Sequence, residues 1–251
     1  MKNQMMSGET AMPRKAALVF GGSRGIGAAS ALRLAEDGFS VTLTYVSRPD
    51  KAQEVVKDIE SKGGHALAIR ADSADPAAIR AAADEAAEQL GPIHVTVVNA
   101  GILHLATIDA FRLENLDRML AVNLRGVFLA IQAAVAHMPD GGRVITIGSN
   151  TAIRTGHRGT SVYAMTKAAV ASMVQNVALD LAPRQITVNN IQPGPIETDM
   201  TAGHIAQVTP MVPLGRVGQP REIAALVSYL AGADSGYMTG SSLTIDGGFV
   251  L

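Results

Sequence analysis

The sequence reads as a doubly wound α/β domain, and three observations carry that reading. Short runs rich in valine, isoleucine and leucine recur along the chain without polar alternation, as strands buried on both faces require. Longer stretches of helical period separate them, which is the pattern of a parallel sheet with helices on both sides. A glycine-rich turn joins the first run to the first helix. With 251 residues, 47% hydrophobic, the chain is long enough for one large core.

The elements follow in order. Residues 16–20 (Ala-Ala-Leu-Val-Phe) form the expected first strand, followed by the glycine turn and a helix near 25–36. A second strand at 41–45 precedes a helix over 51–61, and a third at 66–69 precedes an alanine-rich helix over 76–90. Pro76 at that helix's first turn and Gly91-Pro92 beyond its end match the usual asymmetry of helix termini. A fourth strand at 95–98 leads to a long helix near 116–138, and a fifth strand is expected at 143–147. A helix containing Tyr163, a sixth strand at 186–191, a helix near 221–231 and a strand at 243–245 complete about seven strands. One domain over 15–251 is expected, preceded by an extension over 1–14, with no repeat or low-complexity segment.

Composition removes several function classes. A formal net charge of −1 with no long basic run argues against nucleic-acid binding. The absence of cysteine excludes disulfides and thiol nucleophiles. The six histidines are scattered without metal spacing. No unbroken apolar run reaches the roughly 18 residues of a membrane span, and residues 1–15 lack the apolar core of a secretory signal. A cytoplasmic protein that binds neither membrane nor nucleic acid is expected.

Gly21-Gly22-Ser23-Arg24-Gly25-Ile26-Gly27 lies directly after the first strand, where glycines let a backbone approach a pyrophosphate at a helix N-terminus. The spacing is GxxxGxG, and a tight strand-to-helix connection is the plain alternative. At the end of the second strand, an NAD site usually carries an acid for the ribose hydroxyls. Here stand Tyr45, Val46, Ser47 and Arg48, with no carboxylate before Asp50. Arg24 and Arg48, with Ser47, suit a 2′-phosphate, which favours NADPH/NADP+ over NAD.

Tyr163 and Lys167 stand at i and i+4, on one helical face. An ammonium held there favours the phenolate and fits tyrosine for proton transfer, although such a pair is ordinarily a surface contact. Ser149 ends the fifth strand at the carboxyl edge of the sheet, where α/β sheets bind ligands. Ser149 lacks a GxSxG elbow and an evident histidine partner, which argues against serine nucleophilic catalysis. A turn or helix-capping serine is its bland alternative; for Asn123 it is a buried structural amide.

The glycine motif, Asn99-Ala100-Gly101, Ser149, Tyr163-xxx-Lys167 and Pro193-Gly194 occur in one order, and with them the chain from about Lys15 onward resembles the short-chain dehydrogenase/reductase family. Within it the chain is similar to bacterial 3-oxoacyl-carrier-protein reductases and NADPH-dependent carbonyl reductases. It departs at Phe20, where a threonine usually opens the glycine motif and ties it to the Asn-Ala-Gly segment. The resemblance implies a Rossmann-like fold and reduction of a ketone or 3-oxoacyl/β-ketoester carbonyl. It makes Ser149 the partner of the substrate carbonyl, Tyr163 the proton donor, and Lys167 the holder of the nicotinamide ribose. Asn123 is then the residue that binds a relay water.

The resemblance also places Gly21, Ser23, Arg24, Gly25, Ile26 and Gly27 along the cofactor phosphates, with Tyr45, Ser47 and Arg48 at the adenosine ribose. Asp72 and Ser73 meet the adenine; Asn99, Ala100 and Gly101 follow the ribose; Pro193, Gly194, Ile196 and Thr198 hold the nicotinamide end. It implies a substrate loop over about 197–216, with Asn150, Ala152, Ile153 and His157 forming the other wall. Arg125, Arg154 and Arg158 are candidates for a basic rim facing an acyl thioester. A homotetramer packed through the apolar C-terminal segment is expected. Two other readings stay open: an NAD(P)-dependent alcohol or sugar dehydrogenase working oxidatively, and a regulatory protein binding a nucleotide or cyclic dinucleotide on the same fold.

Overall fold

The computed structural model describes residues 14–154 and 157–251. The extension expected over 1–14 lies, apart from Arg14, outside the described residues. Seven parallel strands form one sheet in the order β3-β2-β1-β4-β5-β6-β7. They are β1 (Ala16–Phe20), β2 (Ser40–Tyr45), β3 (Ala66–Arg70), β4 (Ile93–Val98), β5 (Arg143–Ile147), β6 (Thr187–Pro193) and β7 (Ser242–Ile245). The order reverses between β1 and β4, which opens a crevice at their carboxyl ends.

Strand period puts alternate residues of β1 into two different cores. Ala17 and Val19 pack with Leu34 of α1 (Gly25–Glu36), Val55 and Ile59 of α2 (Pro49–Ser61) and Val227 of the final helix (Pro220–Ala231). Leu18 and Phe20 pack on the opposite face with Ile79 and Ala83 of α3 (Pro76–Leu90) and with Val170 and Val174 of the Tyr163 helix (Ser161–Leu181). Leu18, Val19, Leu34 and Leu43 are fully buried. Each such leucine or valine contributes about 1.5–3 kcal/mol over leaving it exposed. The Rossmann-like doubly wound arrangement follows from strands that are apolar on both faces.

The fourth helical segment differs from the single helix near 116–138 that the sequence suggests. It begins earlier, as α4 (Leu113–Leu120), loosens into a π turn over Ala121–Arg125, and resumes as α5 (Gly126–Ala136). As one stretch, Leu113–Ala136 is long and apolar enough to cross a membrane. Glu114, Asp117, Arg118 and Arg125 interrupt it, so it holds no unbroken apolar run of that length. In the fold its buried residues Met119, Val122, Val127, Ile131 and Ala134 line its inner side. The remaining helices are α6 (Ser161–Leu181), the short α7 (Ile205–Val208) inside the expected substrate loop, and α8 (Pro220–Ala231).

Candidate active site

A cleft of about 420 Å³ runs along the carboxyl edge of the sheet, from the loops after β2 and β3 to the start of α6. Of the residues expected to hold a cofactor, Gly21, Ser23, Arg24, Gly25, Ile26, Tyr45, Ser47, Arg48, Asp72, Ser73, Asn99, Ala100, Gly101, Pro193, Gly194, Ile196 and Thr198 line it. So do Ser149, Tyr163 and Lys167. Two expected residues stand behind the wall instead of in it. Gly27 is buried, and a Cβ there would overlap the Gly21 carbonyl and lie 2.6 Å from Asn99 Nδ2. Its contribution is close packing of the loop on the Asn99 strand end. Asn123 is also buried completely.

The glycine loop is held from three sides. Gly21 takes φ 77°, a conformation that costs glycine little, and a Cβ there would sit 2.8 Å from the Ala100 Cα. Its N–H donates to Thr44 Oγ1 at 2.9 Å, and its carbonyl accepts from Asn99 Nδ2 at 2.7 Å. The Phe20 carbonyl accepts the N–H groups of Asn99 and Ala100 at 3.1 and 2.9 Å. The Phe20 side chain belongs to the core, and Thr44 of β2 provides a hydroxyl for the loop from the neighbouring strand. Arg24 precedes α1 without capping it by its side chain, and the first turn of α1 carries no acid. The helix start therefore presents free N–H groups and a positive dipole end.

Both arginines expected to meet a 2′-phosphate lie beside carboxylates. Arg48 Nη2 donates to Asp50 Oδ2 at 2.6 Å and its Nε to Oδ1 at 3.0 Å. That bond holds the Asp50 carboxyl down to about 2. Arg24 Nη1 reaches Asp199 Oδ2 at 3.3 Å, linking the glycine loop to the segment after β6. Asp72 is bound by a residue that the sequence does not point to: Arg118 of α4 donates to it at 3.0 and 3.2 Å. Burial works to raise the Asp72 carboxyl, but hydrogen bonds from the Ala74 N–H and Arg118 hold it below the usual range. Arg118 is 46 positions away in the chain, so only the fold brings it to the cleft.

At the other end, Ser149 Oγ accepts the Thr151 N–H at 3.2 Å and thereby caps the short turn Asn150–Ala152. The capping alternative and the cleft-facing one are both true of this serine. Tyr163 and Lys167 face the cleft one turn apart on α6, with Lys167 Nζ 5.7 Å from the phenol ring centre. Burial pushes the Tyr163 phenol up to about 12, and the opposing pull is a hydrogen bond with Ser149. Lys167 Nζ donates to the Ile147 carbonyl at 2.9 Å, and burial pushes it down to about 8. Ser149 thus draws the phenol downward against burial.

Asn123 sits in the π turn with Oδ1 accepting the Ile102 N–H and Nδ2 donating to the Ile102 carbonyl, both at 2.9 Å. A Cβ on Gly101 would stand 3.6 Å from both Asn123 Oδ1 and Lys167 Nζ, so these groups border the same small space. The residues between the serine and tyrosine are divided. Asn150 is buried and donates to Asp246 Oδ2 at 3.2 Å, while Ile153 and His157 are exposed and the His157 ring stacks on Phe249 at 6.2 Å. The proposed rim arginines are dispersed: Arg154 donates to the Leu251 carbonyl at 2.6 Å and Arg125 to the Ala74 carbonyl at 3.1 Å.

A family model described as enoyl-(acyl carrier protein) reductase matches residues 21–250. The versicolorin reductase stcU of Emericella nidulans is 35% identical over 250 residues, covering 93% of this chain and 95% of that protein. The 3-oxoacyl-[acyl-carrier-protein] reductase FabG of Staphylococcus aureus is 37% identical over 243 residues, covering 94% and 98%. A short-chain dehydrogenase/reductase from Serratia marcescens superposes with a TM-score of 0.92 at 49% identity, covering 94% and 98%. One from Burkholderia cenocepacia, solved in complex with NADP, gives 0.92 at 44% identity, covering 96% and 100%. With the fold, the glycine loop and the serine–tyrosine–lysine edge in place, the chain belongs to the short-chain dehydrogenase/reductase family of oxidoreductases.

Proposed function

We propose that this protein is an NADPH-dependent carbonyl reductase acting on a ketone or a 3-oxoacyl or β-ketoester group. The observation that carries the reading is that Ser149, Tyr163 and Lys167 line one end of the same cleft whose other end is the glycine loop. A nicotinamide dinucleotide suits the loop's geometry: Gly21 and Gly25 take φ 77° and 55°, and α1 offers an uncapped, acid-free N-terminus for a pyrophosphate. The bound cofactor supplies a hydride.

The chain's own residues supply the rest. Ser149 donates to the carbonyl oxygen and holds it beside Tyr163. The Tyr163 phenol, protonated at neutral pH, gives its proton to that oxygen as negative charge develops. Lys167 places a positive charge near the phenol and, below about pH 8, carries it. Asn123 Oδ1 keeps a lone pair beyond its bond to Ile102, which suits a water beside Lys167 that returns the proton from solvent.

Preference for the phosphorylated cofactor rests on Arg24, Arg48 and Ser47, and on the lack of a carboxylate in residues 45–48. A 2′-phosphate would replace Asp199 and Asp50 as the partner of the two guanidiniums. The NADP complex of the Burkholderia relative supports this choice. The apolar C-terminal segment is the contact we expect in a homotetramer.

The test is absorbance at the nicotinamide band with a panel of ketones and β-ketoesters, offering NADPH and NADH separately. Oxidation of NADPH by at least one carbonyl is expected, with Tyr163→Phe losing about 10²–10⁴-fold in rate while still binding cofactor. Nucleotide binding without turnover of any carbonyl would move the assignment to the regulatory alternative. Turnover only with alcohols or sugars would favour the oxidative one.

A further inference from the structure

Ser149 Oγ accepts two hydrogen bonds from one residue: the Thr151 N–H at 3.2 Å and the Thr151 hydroxyl at 2.9 Å. A serine hydroxyl has two lone pairs and one proton. With both lone pairs engaged, the single proton is what Ser149 has left to offer. We propose that Thr151 is a positioning residue for carbonyl reduction: its hydroxyl fills the acceptor capacity of Ser149 and so commits Ser149 to donating, toward the substrate carbonyl and the Tyr163 oxygen. The inference rests on the reductase reading given above.

The consequence concerns where the protons point. A Ser149 with a free lone pair could accept the Tyr163 O–H, turning the phenol proton away from the substrate. The carbonyl would then lose the Tyr163 donor and keep only the Ser149 proton. With Thr151 in place the arrangement has one sense: Thr151 to Ser149, Ser149 to the acceptor in the cleft, and Tyr163 to the same acceptor.

The backbone of this turn does not depend on the Thr151 side chain. Asn150 Nδ2 anchors the turn to Asp246 Oδ2 at 3.2 Å, and Asp246 is itself fixed by the N–H groups of Gly248 and Val250 at 2.9 and 3.1 Å. The Thr151 N–H bond to Ser149 survives any substitution except proline. A valine therefore removes the hydroxyl while keeping the branched shape.

The other charged or titratable groups lining the cleft are Lys167 on the helix of Tyr163, Arg24, Tyr45 and Arg48 after β1 and β2, Asp72 after β3, Arg118 on α4 and Asp199 after β6. None of them changes in Thr151→Val. A fall in kcat with an unchanged KM for cofactor in that variant thus reports on the Ser149–Tyr163 end of the cleft.

The experiment is steady-state reduction by the NADPH-loaded enzyme of a carbonyl that the wild type turns over, at neutral pH, for T151V, T151S, S149A and Y163F. Loss of one neutral hydrogen bond predicts a fall in kcat of about five- to tenfold for T151V, with the KM for NADPH unchanged within about twofold. T151S should restore the rate. Unchanged kcat, a KM for NADPH raised in step with the rate loss, or a loss that serine does not restore would each overturn the proposal. If T151V does not fold, T151A carries the same test. The reductase reading fails separately, if S149A and Y163F keep wild-type rates or if no carbonyl is turned over.

Discussion

Replacing Lys167 with methionine should stabilise the folded chain near neutral pH while removing turnover. Lys167 is 5% exposed, and burial lowers its ammonium from 10.5 to about 8. At 1.36 kcal/mol per unit, keeping that charge inside costs about 3 kcal/mol below the folded-state value. Methionine has a similar length and no charge to desolvate. Against this gain stands the lost bond from Nζ to the Ile147 carbonyl, worth about 1–2 kcal/mol. The net expectation is a K167M protein more stable by about 1–2 kcal/mol near pH 7.

The sign of the pH dependence is fixed by the direction of the shift. Between about pH 8 and 10.5 the unfolded chain holds the lysine proton and the folded chain has released it. Wild-type stability therefore rises with pH across that window relative to K167M, by about 2 kcal/mol between pH 7 and 9.5. The Tyr163 phenol, pushed up to about 12, is common to both chains and acts above that range. Urea unfolding of both proteins at the two pH values, followed by far-ultraviolet circular dichroism, reads the difference directly. A stability gap that is the same at both values would refute the reasoning, because it would mean that Lys167 is not held against a desolvation cost.

Arg48→Ala and Arg24→Ala should each weaken NADPH binding by about tenfold and leave NADH within about twofold, since only one cofactor has the phosphate; fluorescence titration of both cofactors checks this, and equal losses would dismiss the two arginines as selectors. Gly27→Ala should destabilise the chain by about 1–3 kcal/mol, because its Cβ would collide with the Gly21 carbonyl, and should reduce cofactor affinity as the loop shifts. A thermal melt and a cofactor titration on the same preparation separate these two effects.

The sequence by itself determined the sheet and most of the residues that line the cleft. Short β-branched apolar runs bounded by turn residues suit strands covered on both faces, and β1 and β5 appear at the residues that the sequence marks. Residues such as Gly21, Ser149, Tyr163 and Lys167 were legible because a strand end, a tight turn and a helical i, i+4 spacing are local geometry. What lies between distant segments was not. The Arg118–Asp72, Arg24–Asp199 and Thr44–Gly21 contacts join residues 46, 175 and 23 positions apart, and no local pattern encodes them.

The tertiary structure also decided orientation. A π turn at Ala121–Arg125 turns Asn123 toward Ile102, and helical periodicity cannot reveal that one-residue insertion. It packs Gly27 beneath the loop, where a Cβ would meet the Gly21 carbonyl and the Asn99 amide. It set the Lys167 ammonium against the Ile147 carbonyl and bonded the Thr151 hydroxyl to Ser149, which in turn draws the phenol downward. Sequence spacing fixes which residues share a face, but burial and the partners of each lone pair are set only when separate strands and helices meet.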